Sequence, residues 1–251
     1  MLSTTFLSFF VTGAVQRNLA STAMILLEAG TPSHLSDSNG DTPLHLIRNL
    51  MSQDSHVAMD EVCELVRVLL EKSANENLIN LEDAKGRSLL SYAVEAGDRC
   101  AALTRLLINL GAKTFSEKLG HSSSCFAWFL RAQMRKLGSE VTLDEDTFYI
   151  LSTAMIEEVG GHGNGLKFKS IIDRNMVAMG SSPEAHGPLF RKIRGLAAAY
   201  WLQPPQLRLL SATSIRRSLG PKRLSKEVMS RLKVPRKLQR FVTLEEKIPN
   251  S

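Results

Sequence analysis

Cysteine is scarce: the chain holds three, Cys63, Cys100 and Cys125, an odd number with no CxxC spacing. That pattern excludes a disulfide framework and suits free thiols in a reducing compartment, the cytosol or nucleus. No stretch approaches eighteen consecutive apolar residues, so neither a spanning helix nor a membrane partner is expected. The run Phe6-Leu7-Ser8-Phe9-Phe10-Val11 has the apolarity of a signal core, but no Lys or Arg precedes it, and it reads as a buried first helix.

Catalytic patterns are missing as well. The six histidines, His34, His45, His56, His121, His162 and His186, show neither HExxH nor Cys/His ligand spacing, and there is no GxSxG elbow. The stretch "GGHGNGLK" at 160–167 lacks the Gly-Lys-Ser/Thr ending of a phosphate loop and follows a helical pattern rather than a strand, so it reads as a turn. Cys125, beside Phe126 and Trp128, reads as a buried thiol. The chain is therefore expected to be no enzyme, with no catalytic residues, no metal and no cofactor.

What is present is a large apolar fraction, 43% of 251 residues, enough for a sizeable core. Charge is unevenly spread. Of 31 Lys and Arg and 25 Asp and Glu, twelve cations and three acids lie from Gln203 onward, leaving nineteen against twenty-two before it. A basic tail on a mildly acidic body fits an acidic protein, an anionic surface or nucleic acid.

Internal repetition narrows the class. "SNGDTPLHLI" at 38–47 aligns with "AKGRSLLSYAV" at 84–94, matching Gly40 to Gly86 and Thr42 to Ser88. Leucine-rich helices that end in turns follow each, "ELVRVLLEKSAN" and "LTRLLINLGAK", and "AMILLEAGTP" at 23–32 is an upstream copy of the second helix. Gly40 supplies a tight turn, Thr42 caps the coming helix, and Pro43 stands where a first helical residue needs no amide hydrogen. Leu44 and Leu46, then Leu69 and Leu70, are expected to face neighbouring repeats, because one helix pair cannot bury its own apolar face. The linker "MSQDSHVAMDEV" reads as an insertion of about ten residues or as a lengthened helix. "LGHSSSCFAWFLRAQM" reads as a degraded third copy, counted from Gly120, in which Ser123 and Ser124 replace the Pro-Leu pair.

These segments resemble ankyrin repeats, "DTPLH" at 41–45 and "LLEAG" at 26–30 lying near the family consensus. The resemblance implies a structural role for Gly40, Thr42, Pro43, Leu44, His45, Gly86 and Ser88, with the His45 ring hydrogen-bonding between repeats. Over 136–202 the sequence is less informative. "TLDEDTFYILSTAMIEEVG" reads as a helix capped by Thr142, "MGSSPEAHGP" as a break, and "LFRKIRGLAAAYWL" as a helix stopped by Pro204-Pro205.

In "PPQLRLLSATSIRRSLGPKRL", Leu207, Leu210, Ser211, Ile215 and Leu219 recur at helical spacing between Pro205 and Gly220-Pro221. The stripe needs a partner, either the preceding helices or another protein. With "SKEVMSRL" and "LKVPRKLQRFV" behind it, the segment resembles the SOCS box of the ankyrin-repeat and SOCS-box proteins. That resemblance implies elongin C binding by Leu207, Leu210, Ser211, Ile215 and Leu219, Ser211 standing where the family has cysteine. It implies cullin binding by Leu232, Val234, Pro235, Leu238 and Phe241, Lys233 standing where the family has proline. Arg208, Arg216 and Arg217 are expected on a solvated face or on a rim that steers toward acidic partners, and a nucleic-acid role is disfavoured because no aromatics are interleaved.

The fold class expected is therefore all-α, an ankyrin-repeat solenoid followed by a C-terminal three-helix SOCS box. The domains are ankyrin repeats over 1–135, a divergent helical extension over 136–202 that caps the stack or is a further degenerate repeat, and the box over 203–251. The function implied is substrate recognition for an elongin B/C, cullin and RING ubiquitin ligase, with an unidentified protein as substrate. The alternative is an ankyrin adaptor whose last helices form a cap.

Overall fold

In a computed structural model the described residues are 11–15, 17, 20–31, 42–51, 57–73, 77–83, 85–115, 124–135, 143–158, 165–178, 183–202, 207–219, 229, 231 and 235–245. The protein is all-helical, with no strand among the described residues. It divides into two compact units, Met1–Leu106 and Leu107–Ser251.

In the first unit a helical stretch over 11–15 buries Val11 and Val15 completely. It precedes α1 (Ala20–Glu28), α2 (Pro43–Leu50), α3 (Met59–Lys72) and α4 (Leu89–Ala96). Helix α1 packs on α3, and α2 packs on both α3 and α4. The interior is aliphatic: Leu27, Ile47, Leu50, Val62, Leu65, Val66, Leu69, Leu90 and Val94 are fully buried, each contributing about 2 kcal/mol. Leu44 and Leu46 are buried as their spacing requires, whereas Leu70 is half-buried. Helix α3 has 14 residues against 9 in its repeat counterpart α5 (Ala101–Asn109), so the expected extra length is at least partly a lengthened helix.

The helix starts follow one chemistry. Thr42 is the N-cap of α2, with Pro43 at the first helical position and the ring Nδ1 of buried His45 accepting the Thr42 amide. Ser88 caps α4 by accepting the Ser91 amide at 3.4 Å. The turn before it uses Gly86 at φ +70, a conformation that favours glycine, whose amide donates to the Asp83 carbonyl at 3.0 Å. Gly40, its sequence match, lies outside the described residues. The helix ends repeat too. Gly30 (φ +89) and Gly111 (φ +95) stand in the left-handed region, and the amide after each reaches back, Thr31 to Leu26 and Ala112 to Leu107.

The second unit holds α6 (Cys125–Arg135), α7 (Glu145–Glu158), α8 (Gly165–Ala178), α9 (Pro183–Leu202), α10 (Leu207–Leu219) and α11 (Arg236–Val242). Its centre is aromatic: Phe126, Phe129 and Phe148 form a triangle with ring centroids 5.9, 6.1 and 6.2 Å apart. Ser124 caps α6 through the Ala127 amide at 3.3 Å, which corrects the register expected for the third copy. Ser124 does what Thr42 and Ser88 do, so Cys125 takes the place of Pro43; Gly120 and Ser123 lie outside the described residues. Helix α7 is capped by Asp144, whose Oδ1 accepts the Thr147 amide at 2.9 Å, rather than by Thr142, which is also outside. Helix α9 starts at Pro183, earlier than its apolar pattern announces. Proline fits a first helical position, and the helix also accommodates the exposed Pro188.

All three cysteines are free thiols. Burial pushes Cys63 and Cys100 up to about 11, keeping both protonated at neutral pH.

Candidate partner-binding helix pair

Helix α10 follows a proline stop and carries Ala212, Ile215, Arg216 and Leu219 at the i, i+3, i+4, i+7 spacing of a single helix face. That face is turned inward. Ala212, Met229 and Val242 form a buried cluster against which Ile215, Leu219 and Leu238 pack, joining α10 to α11. Ser214 and Ser218 are exposed on the other side of α10, and Ser211 is half-buried between the two. Four-residue steps advance a helix by about 40°, so the row 207, 211, 215, 219 drifts around it. By backbone phase, position 207 falls with the 214 and 218 side, whereas 215 and 219 fall with Ala212.

The stripe thus divides. Ile215, Leu219 and Leu238 contribute to an internal cluster as well as offering half-buried surface. Pro235 is exposed, and its carbonyl accepts the Gln239 amide at 3.1 Å, opening α11. Leu207 and Leu210 belong to α10 and Phe241 to α11, but their side chains lie outside the description; so do Leu232 and Val234 altogether.

Arg216 is not on a solvated face. Its side chain is 6% exposed and pairs with Glu157, 16% exposed, at the end of α7. The guanidinium donates through Nε to the Glu157 carboxylate at 3.0 Å and through Nη1 to Asn109 Oδ1 at 2.8 Å and the Val242 carbonyl at 2.6 Å. Asn109 in turn donates to the Thr243 carbonyl at 2.8 Å. Two carbonyls at the end of α11, which have no partner inside the helix, are therefore taken by side chains. Leu244 follows at φ +59, 2% exposed, and the Glu245 amide reaches back to the Arg240 carbonyl at 2.8 Å, closing the helix in a Schellman arrangement without glycine. Removing one partner from a buried ion pair of this kind costs about 3–5 kcal/mol, because the remaining charge stays desolvated.

Sequence reasoning missed Arg216, Asn109 and Glu157. The available signal was the spacing of Ala212, Ile215 and Leu219, which places position 216 on the inward face. The first arginine of "IRRSLG" reads as a surface cation only when its doublet is taken as a unit.

The outward face of α11 is cationic: Arg236, Lys237 and Arg240 are exposed, as is Arg231 before it. Among the described residues no helix is long and apolar enough to cross a membrane, and no group of His, Cys, Asp and Glu could hold a metal ion. No protein-family model matches the chain, and no curated protein matches it.

Proposed function

We propose that the protein is a non-catalytic substrate receptor. Its paired helices act as ankyrin repeats that hold a target protein, and its C-terminal helices act as a SOCS box that recruits elongin B/C and then a cullin–RING ubiquitin ligase in the cytoplasm or nucleus. The observation that carries this reading is the two-sided character of α10. One face packs on α11 through Ile215 and Leu219, leaving Ser214 and Ser218 exposed opposite, where a partner groove has room to close over the helix. The recurrence of caps at Thr42, Ser88 and Ser124, with left-handed glycines at Gly30 and Gly111, supports the repeat reading.

A second reading, an ankyrin adaptor whose last helices form a cap, is favoured by the buried Arg216 bonds alone. Co-expression with elongins B and C followed by gel filtration separates the two. A stable co-eluting complex supports the receptor, and elution of the chain by itself leaves the adaptor.

A further inference from the structure

We infer that Arg216 is a positioning residue that fixes the attitude of α10 on α7, so that a protein carried on the outward face of α10 is presented in one orientation. The identity of that protein rests on the elongin reading; the positioning rests on geometry.

Helix α7 ends in Glu157 and Glu158, two carboxylates at the helix end where negative charge is unfavourable. Each is taken by a donor from elsewhere in the chain. The Thr114 amide donates to Glu158 at 2.8 Å and the Thr114 hydroxyl donates to its other oxygen, while Arg216 takes Glu157. The two acids thus tie the end of α7 to other segments of the chain.

Arg216 suits a fixed attitude because its planar guanidinium reaches acceptors on three segments, the end of α7, Asn109 at the end of α5 and Val242 at the end of α11. These directions are set by the fork itself, so a rotation of α10 would break several bonds together. A lysine supplies a point charge that satisfies Glu157 but imposes no plane. The cluster of Ala212, Met229 and Val242 is small and non-directional, so apolar packing joins α10 to α11 but does not by itself orient the pair on α7. In a ligase receptor, orientation governs how a bound target meets the transfer machinery, since geometry counts as well as affinity.

The test uses the full chain with Cys63→Ala to remove the half-buried native thiol, and spin labels at Val177→Cys on α8 and Arg236→Cys on α11, both exposed. Pulsed electron resonance is expected to give one narrow distance for this parent, a broad or multiple distribution for Arg216→Met, and an intermediate one for Arg216→Lys. Calorimetry on the unlabelled proteins is expected to give the same elongin B/C affinity for all three. A narrow distribution in Arg216→Met overturns the inference, as does broadening accompanied by lost elongin affinity, which would make Arg216 part of the binding surface. If Arg216→Met fails to fold, Glu157→Gln decides the point: broadening upholds positioning and an unchanged width overturns it. Failure of the unaltered chain to bind elongins rejects the receptor reading alone, because the distance measurement on the free chain still decides the role of Arg216.

Discussion

His45 Nε2 lies 3.1 Å from the carbonyl oxygen of Leu81, thirty-six residues further along the chain, while its Nδ1 accepts the Thr42 amide at 3.2 Å. With Nδ1 accepting, the ring proton resides on Nε2 and is donated to Leu81. One buried side chain therefore closes the start of α2 and ties it to the segment leading into α4.

Replacing His45 by Ala removes both bonds and opens a small cavity. The expected loss is about 2–3 kcal/mol, read as a lower urea midpoint with an unchanged slope. An unchanged midpoint would show that water replaces the ring at no cost.

Asp83 predicts an acid-sensitive turn. Its Oδ1 accepts the Lys85 and Arg87 amides at 2.8 and 2.9 Å, and its Oδ2 accepts the Tyr92 hydroxyl at 2.5 Å. Burial alone would push this carboxyl up, but the bonds from Tyr92, Arg87 and Lys85 outweigh it and hold it below its ordinary 3.8. A depressed carboxyl contributes stability that is present above its unfolded value and lost as pH falls through the folded one. Thermal melts of the parent should therefore drop more steeply below pH 3.8 than those of Asp83→Asn, which should itself be weaker by about 1–2 kcal/mol at neutral pH. Parallel curves for the two proteins would remove Asp83 from the account.

Helix α11 carries Arg236 and Lys237 in its first turn, where the helix dipole favours acids, and has no acidic residue there. Lys237→Glu should stabilise the second unit by about 0.5 kcal/mol at low ionic strength, an effect that fades in high salt. A destabilised variant would indicate that Lys237 pairs with an acid of the chain. A stabilised variant that loses cullin binding would show that the misplaced cation serves the partner at the expense of the helix.

Local chemistry was the readable part of this chain. Thr42 and Ser88 announce helix starts because a cap depends only on its own neighbours, and Gly30 and Gly111 announce helix ends for the same reason. Register and long-range burial were not readable in that way. Counting from Gly120 put Ser124 in the wrong role: it stands four residues after that glycine in the sequence, whereas Ser88 stands two after Gly86. Pro183 and Pro188 suggested a break where α9 runs: Pro183 costs nothing at a first helical position, whereas Pro188 lies inside the helix, where it lacks an amide hydrogen to donate, and the apolar pattern begins only later. The side-chain partners of Arg216 lie 59 and 107 residues earlier in the chain, at the ends of other helices, and its carbonyl acceptor, Val242, lies 26 residues later, so no local pattern pairs them.

The division of α10 into two faces separates the roles of Leu207 and Ile215. Ile215 packs on the cluster of Ala212, Met229 and Val242, so Ile215→Ala should weaken the second unit by about 1–2 kcal/mol, less than a fully buried deletion because the side chain is half-buried. Any loss of elongin affinity in that variant would follow from loosened helices. Position 207 falls by backbone phase on the side of the exposed Ser214, so Leu207→Asp should leave the unfolding midpoint within error while abolishing co-elution with elongins B and C. The two measurements, denaturation and gel filtration, are made on the same pair of proteins. If Leu207→Asp unfolds the C-terminal helices as Ile215→Ala does, both residues belong to the internal core and the outward face has no apolar anchor. The cap reading of α10 would then replace the receptor reading.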